Sequence, residues 1–303
     1  MTTKDLTIVV CCNKSDFFLA RICIASIRYY YPDVAIELVK DPGRGNFDTT
    51  ELEKYFKVMQ IDLGVKQLGW SAAKFLYLYK FPKGKKLLML DADIVFIGPF
   101  IEKLLPLFER NDYLVSIERE INPYADWVKA IYFDTKKIEQ TYPDYTFPGY
   151  FFNAGQMFVT TGAIESNILN DYFDPHNYPY WKHQELFPLV DQSVYNYLLP
   201  TLSKQSKIKL GTADFMLWSK SSNVANLNLD QIINKQLTED GLIHWAGDVR
   251  TPALRKMTRP DILLFFENYY YQQLAGGLLK RFFRSFASVT YFYSNMLYRK
   301  IMK

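Results

Sequence analysis

Lys86-Leu87-Leu88-Met89-Leu90-Asp91-Ala92-Asp93 is the stretch from which the fold is read: four consecutive apolar residues run into two carboxylates separated by one alanine. Pro82-Lys83-Gly84 precedes the run and Gly98-Pro99 follows it. A short apolar run bounded by turn residues reads as a strand buried on both faces. Open α/β sheets bind ligands just beyond the carboxyl ends of their strands, and Asp91 and Asp93 fall at that edge. Residues i and i+2 of an extended segment point to the same side, so both carboxylates can face one point. Hard oxygen ligands beside a cleft suit Mg²⁺ or Mn²⁺. A solvated acidic turn is the bland alternative, and the pair alone does not decide between them.

Working back from this strand, Leu6 to Cys12 is a β-branched run and reads as the first buried strand. Ser15-Asp16 can cap a helix from Phe17 to Tyr31, which stops before Pro32. Ala35 to Val39 and Lys57 to Ile61 read as strands, with a turn-rich Asp41 to Gly45 and a helix Thr49 to Phe56 between them. Ser71 to Tyr79 is the helix that precedes the opening strand. Strand and helix alternate up to Asp93, which argues for βαβ units and an α/β, Rossmann-like, mostly parallel twisted sheet flanked by helices. Going forward, Ile101 to Phe108 is helical and Tyr113 to Ile117 a strand. Glu118 to Tyr150 lacks a period and reads as an irregular, pocket-shaping insertion. Phe151 to Val159 returns to strand, followed by a helix Thr161 to Tyr172, an aromatic loop Asp174 to Pro188 and a helix Asp191 to Leu198. Lys207 to Leu210 and Leu242 to Trp245 are the last strand-like pieces. The chain divides into a catalytic-type domain, 1–255, and a helical appendage, 256–303.

Composition narrows the class. The net charge of +4 over 303 residues is too mild to imply a nucleic-acid partner. Cys11, Cys12 and Cys23 have no zinc-like spacing and read as buried thiols of a reducing compartment. Met1 to Asp5 leads straight into strand-like sequence without a signal-peptide pattern, and no apolar stretch is long enough to span a membrane. The expectation is a cytoplasmic protein.

Four separated motifs then carry a resemblance. They are Leu90-Asp91-Ala92-Asp93, Phe152-Asn153-Ala154-Gly155, Asp191-Gln192-Ser193-Val194-Tyr195-Asn196, and Ile243-His244-Trp245-Ala246-Gly247 with Arg250 behind it. Over roughly Leu6 to Pro252 the chain resembles the retaining GT-A glycosyltransferases of family 8, which include glycogenin and the bacterial lipopolysaccharide galactosyltransferases. The resemblance implies a GT-A fold and transfer of a hexose from a nucleotide sugar, with uridine as the base. It implies Mn²⁺ or Mg²⁺ held by Asp91, Asp93 and His244, a neutral imidazole in the last case. A satisfied strand-end histidine is the competing reading for His244; Gly247 favours the ligand, since glycine lets backbone approach a phosphate. Arg250 stands where the family more often has lysine, and would hold the diphosphate. Asn153, Ala154 and the Asp191-Gln192 pair match positions that bind the donor sugar, and Asp191 and Gln192 are the catalytic candidates. Asp191 also reads as a helix N-cap. Lys74 occupies a usually basic position near phosphate or sugar, with a solvated surface lysine as its alternative. Val10, Cys11 and Asn13 end the first strand where the base would rest, and Ala92 lies between the two donor-side aspartates. Retention comes from the resemblance alone; an amide at Gln192 is a poor nucleophile, which favours a front-face mechanism.

The tail adds a surface. Asn268 to Lys303 holds no acidic residue and six basic ones, Lys280, Arg281, Arg284, Arg299, Lys300 and Lys303, among many aromatics. Such a segment suits an anionic membrane surface, and family members with similar tails act on lipid-linked glycans. The expectation is peripheral association with the cytoplasmic face, with a glycan or glycolipid acceptor. Packing on the catalytic domain or on a second subunit of a homo-oligomer is the alternative. Two other classes compete for the whole chain. A haloacid-dehalogenase-like phosphatase would use the first aspartate of Asp-x-Asp as nucleophile, but no later Gly-Asp-x-x-x-Asp loop occurs. A non-catalytic membrane-surface binder would leave the paired acids and His244 unexplained.

Overall fold

A computed structural model describes residues 1–68, 71–118, 121–237 and 241–301. The opening strand is β4 (Lys86–Asp91), at the centre of a seven-stranded sheet. Its four apolar side chains are fully buried and alternate in direction. Leu88 and Leu90 enter one core with α1 (Phe17–Tyr30); Leu87 and Met89 enter another with α3 (Ala72–Lys80) and α8 (Val190–Lys204). Each such side chain contributes about 2 kcal/mol relative to exposure, so the register of β4 is fixed from both sides.

The remaining strands of this sheet are β1 (Leu6–Asn13), β2 (Ala35–Asp41), β3 (Val58–Ile61), β6 (Tyr113–Glu118), β7 (Phe151–Thr160) and β8 (Leu210–Ala213). Their order is β3-β2-β1-β4-β7-β6-β8. Neighbours are parallel except where β7 runs antiparallel between β4 and β6. A second, three-stranded sheet has β10 (Leu242–His244) between β5 (Ile94–Phe96) and β9 (Met216–Trp218). The α/β, mostly parallel architecture matches the expectation, with helices on both faces: α2 (Thr50–Phe56), α4 (Ile101–Glu109) and those named above.

Several local expectations change. The Glu118–Tyr150 insertion contains two short helices, α5 (Asp126–Ile131) and α6 (Thr135–Thr141), the latter capped by the Asp134 carboxylate accepting from Lys137 N–H. The helix expected over Thr161–Tyr172 shrinks to α7 (Ser166–Asn170). Its first residues form a turn, with Gly162 at φ +70° and Thr161 Oγ1 accepting from Lys85 N–H at 2.8 Å. The strand expected at Lys207–Leu210 starts only at Leu210. Two small helices, α9 (Ser222–Ala225) and α10 (Leu229–Ile233), precede β10. Asn13, rather than Ser15 or Asp16, caps the turn into α1, its Oδ1 accepting from Ser15 N–H at 2.8 Å.

At the end of the chain, α11 (Pro260–Gln272) buries Ile262, Leu263, Phe266 and Tyr270 in the same core as α1. Helix α12 (Gly277–Ile301) follows. Its first half is tied down by charge: Glu51 on α2 accepts from Lys280 at 2.9 Å and from Arg284 at 2.8 and 3.0 Å, and Arg281 pairs with Glu267 at 3.3 Å. Leu278, Leu279, Phe282, Phe283 and Phe286 on the same half are exposed. Lys280, Arg281 and Arg284 therefore pair with the body while the exposed apolar residues of this half face outward; the other basic residues of the expected membrane-facing tail, Arg299, Lys300 and Lys303, have side chains outside the described residues.

Candidate metal and donor site

Asp91 ends β4, and Ala92-Asp93 form a turn into β5. The two carboxylates are thus not on one extended strand; a turn brings them together, and neighbouring strands fix them. Strand β5 pairs antiparallel with β10, Ile94 opposite His244, and Trp245 N–H donates to the Asp93 carbonyl at 3.0 Å. This pairing carries His244 across 151 residues to Asp93. His244 Nε2 lies 3.1 Å from Asp93 Oδ1 and 4.0 Å from Asp91 Oδ2. One donor atom from each of Asp91, Asp93 and His244 falls within 4.8 Å of the others. The Asp91 side chain is 40% exposed, those of Asp93 and His244 only 5% and 2%, so the cluster opens to solvent through Asp91. Burial pushes the Asp93 carboxyl up, but His244, then Arg250, outweighs it and holds the group below the usual carboxylate range.

Glycine at 155 is a spatial requirement here. Strand β7 pairs antiparallel with β4, Gln156 opposite Leu90, which sets Gly155 beside Asp91. A Cβ at 155 would stand 2.4 Å from His244 Cε1, 2.6 Å from Asn153 Oδ1 and 2.9 Å from Asp91 Oδ2. Two carboxylates and an imidazole, with one backbone shaped to leave them room, fit a hard or borderline divalent ion such as Mn²⁺ or Mg²⁺.

Lys74 is not a surface lysine. It is buried on α3, 2.7 Å from Asp91 Oδ1, 3.5 Å from Asp191 Oδ2 and donating to the Ala154 carbonyl at 2.7 Å. Burial alone would lower its ammonium, but Asp91 and Asp191 more than reverse that and hold it charged. Asp191 is buried at the start of α8, and its carboxyl is pushed up to about 6 by burial, with Asp91 adding to the rise and Lys74 opposing it. It is not an N-cap: Leu189 takes that place, and Asp191 Oδ1 accepts from the adjacent Gln192 N–H at 2.8 Å.

Gln192 and Asn196, one turn apart on α8, grip β7. Gln192 Oε1 accepts from Ala154 N–H and its Nε2 donates to the Phe152 carbonyl, both at 2.7 Å. Asn196 accepts from Phe152 N–H at 2.9 Å and donates to the same carbonyl at 2.8 Å. Asn153 Oδ1 accepts from Gly155 N–H at 2.7 Å. The Asn153–Gly155 segment is thereby fixed against the carboxylates by side chains 38 to 44 residues away.

Val10 and Ala92 bury their side chains in the core shared with α1, below the site. Cys11, opposite Asp91 in the β1–β4 register, has its thiol pushed up to about 12 by burial, Lys74 opposing. Asn13 is half-buried and donates to Asp16 Oδ2 at 2.9 Å. Gly247 is exposed at φ +72°, a left-handed conformation suited to glycine. Arg250 Nη1 is 3.3 Å from Asp93 Oδ2 and 3.5 Å from Asp16 Oδ2. Sequence reasoning gave no role to Gly155, Asn196, Trp218 or Glu118. Trp218 stacks on His244 with centroids 5.6 Å apart and planes 13° apart. Its Nε1 donates to Glu118 Oε2 at 3.3 Å. Burial raises the Glu118 carboxyl, against the donors Tyr132 and Trp218.

No family model matches the chain, and no curated protein matches it. Solved structures do. WbbM, a bifunctional glycosyltransferase in its apo form, superposes on 88% of this chain with a TM-score of 0.53 at 12% identity; the chain spans 49%, about half, of WbbM. The fold is of the GT-A type. Other neighbours in structure are the galactosyltransferase LgtC, solved with donor and acceptor sugar analogues, at TM-score 0.47 and 14% identity over 87% of this chain and 95% of that one. GlyE from Streptococcus pneumoniae TIGR4 has a TM-score of 0.47 and 13% identity over 86% and 59%. At these identities the likeness is one of fold.

Proposed function

We propose that the chain is a metal-dependent retaining glycosyltransferase of the family 8 kind, moving a hexose from a UDP-sugar to a glycan or lipid-linked glycan. The observation that carries this reading is the meeting of Asp91, Asp93 and His244 at the carboxyl edge of a GT-A sheet, from elements far apart in sequence. In this reading these three residues hold Mn²⁺ or Mg²⁺, which when bound supplies Lewis-acid stabilisation of the leaving diphosphate. Lys74 holds Asp91 in place and supplies a fixed positive charge beside the donor. Arg250, half-exposed and now paired with Asp93 and Asp16, sits close enough to transfer a guanidinium hydrogen bond to a diphosphate oxygen. Exposed Gly247 lets the backbone approach the same group. Cys11 and Asn13 line the base end, while Asn153, Asp191 and Gln192 line the sugar end.

A front-face course suits these residues better than a covalent one. Gln192 is an amide already bonded to β7, and Asp191 is paired with Lys74, so neither is a free carboxylate nucleophile. A trapped glycosyl-enzyme would refute that course. The direct test of the function is Mn²⁺-dependent hydrolysis of UDP-sugars by the purified chain, lost on chelation and in Asp93→Asn. Phosphoaspartate at Asp91 would support the phosphatase instead.

The tail reading includes peripheral attachment to the cytoplasmic face of a membrane. Helix α11 packs into the body, which leaves α12 as the surface element, and its open face is Leu278, Leu279, Phe282, Phe283 and Phe286. Exposed apolar faces of this kind mark membrane or protein contacts. Deleting Gly276 to Lys303 should release the protein from vesicles and leave donor hydrolysis intact; unchanged vesicle binding refutes the membrane reading, and loss of a dimer would point to a second copy instead.

A further inference from the structure

His244 is held unusually for a histidine in a candidate donor set. A ligating imidazole commonly donates its far N–H to a carboxylate or carbonyl, which fixes both tautomer and ring plane. Here Nε2 faces the aspartates, and the buried Nδ1 has no hydrogen-bond partner among the described residues. The ring plane must be set another way. Two contacts are available: Gly155, whose crowded Cα limits the Cε1 edge, and the indole of Trp218, stacked within 13° of parallel.

The stack is built into the sheet. Trp218 and His244 are register partners on the parallel pair β9–β10, so both side chains leave the sheet on the same side. Strand β9 is in turn pinned to the main sheet from two positions of β6. Ser116 Oγ accepts from Phe215 N–H at 3.2 Å and Met216 N–H at 3.1 Å. Glu118, two residues on, accepts from Trp218 Nε1–H with one oxygen and from Tyr132 O–H at 3.0 Å with the other. The indole thus has its edge fixed by a hydrogen bond and its face against the imidazole.

We infer that Trp218 is a positioning residue for His244, replacing the missing hydrogen bond at Nδ1 by stacking, and that Glu118 and Tyr132 hold the indole in that role. This rests on the metal reading above, and the test separates the two. Mn²⁺ alone is titrated into the purified full chain and followed by calorimetry, with thermal unfolding of the metal-free protein as the check on folding. Trp218→Leu removes the flat face and should weaken Mn²⁺ binding by about 10-fold or more, within the range known for outer-shell partners of metal ligands. Trp218→Phe restores a ring and should recover most of that loss. Glu118→Ala frees the indole edge and should weaken binding in the same direction by a smaller factor. Plain packing by Trp218 would lower the unfolding temperature and leave Mn²⁺ affinity unchanged. Folded Trp218→Leu with wild-type Mn²⁺ affinity overturns the inference; if that variant does not fold, Glu118→Ala with wild-type affinity does. A wild-type chain that binds no Mn²⁺ overturns the metal reading itself, and the inference with it.

Discussion

Gly155→Ala is the sharpest probe of the site, because it adds one methyl group and nothing else. The glycine has no unusual backbone angle to protect; its value lies in the space above its Cα. The added Cβ would be 2.4 Å from His244 Cε1 and 2.9 Å from Asp91 Oδ2, against ordinary contacts of about 3.5–4.0 Å between carbons. The imidazole, whose face is stacked on the Trp218 ring, therefore has to retreat by about 1 Å. Overpacking of this kind costs about 1–3 kcal/mol, a fall of several degrees in Tm for a chain of this size. The larger effect should be on the donor set, since ligand geometry is held to about 0.5 Å in a working site. Mn²⁺ affinity should fall at least 10-fold, measured by calorimetry at fixed pH, while far-UV circular dichroism stays that of the wild type. Gly155→Ala with unchanged Mn²⁺ affinity and unchanged Tm would refute the claim that Asp91 and His244 meet over this glycine.

Lys74→Met leaves Asp191 without its cation and the Ala154 carbonyl without its donor. The expected loss is on the order of 3 kcal/mol in urea unfolding, larger at pH 8 than at pH 5; a neutral result sinks the buried-pair account. Asp191→Asn reports on titration. A carboxyl raised from its ordinary 3.8 to about 6 in the fold binds its proton more tightly folded than unfolded. Its contribution is therefore full below about pH 4 and is lost as pH rises through 6, so the variant should flatten the stability profile across that window. Glu51→Gln weakens the clamp on α12. Burial raises the Glu51 carboxyl, but donors Arg284, Lys280 and Tyr270 bring it down to about 2, so the clamp stands above the ordinary carboxylate range and fails as pH falls towards 2. Hydrogen exchange of 277–287 should quicken in the variant with the sheet unchanged; equal exchange would mean the clamp does not order the helix.

The fold was legible where one residue type repeats a single message. Leu87 to Leu90 read as doubly buried because every one of them is, and the βαβ alternation up to Asp93 follows from caps, prolines and apolar spacing. Strands β5 and β9, three residues each, carry no period to detect, yet they build the small sheet that delivers His244 and Trp218. The two aspartates were found for a reason only half right. Spacing of two predicted convergence along a strand, whereas a turn at Ala92-Asp93 and the Ile94–His244 pairing achieve it. For Lys74 the sequence left a donor contact and a solvated surface lysine both open, because the partners that bury it, Asp191 and the Ala154 carbonyl, lie 117 and 80 residues away. Gly155 was quoted only as the end of a motif, since the need for an absent side chain is visible only once its neighbours are placed.

The tail shows the same limit with the opposite sign. Charge and aromatic content pointed to a helical tail, but composition does not say which face meets the body. That choice was made by Glu51 and Glu267, acidic residues on α2 and α11 that draw Lys280, Arg284 and Arg281 inward. With those charges paired, the first half of α12 offers an outside surface apolar rather than cationic. Attachment through this half would then depend on buried hydrocarbon area, on the order of 25 cal/mol per Å², and little on ionic strength. Vesicle binding that changes little with salt is therefore the result expected of attachment through this half, and a steep loss of binding with added salt would refute it.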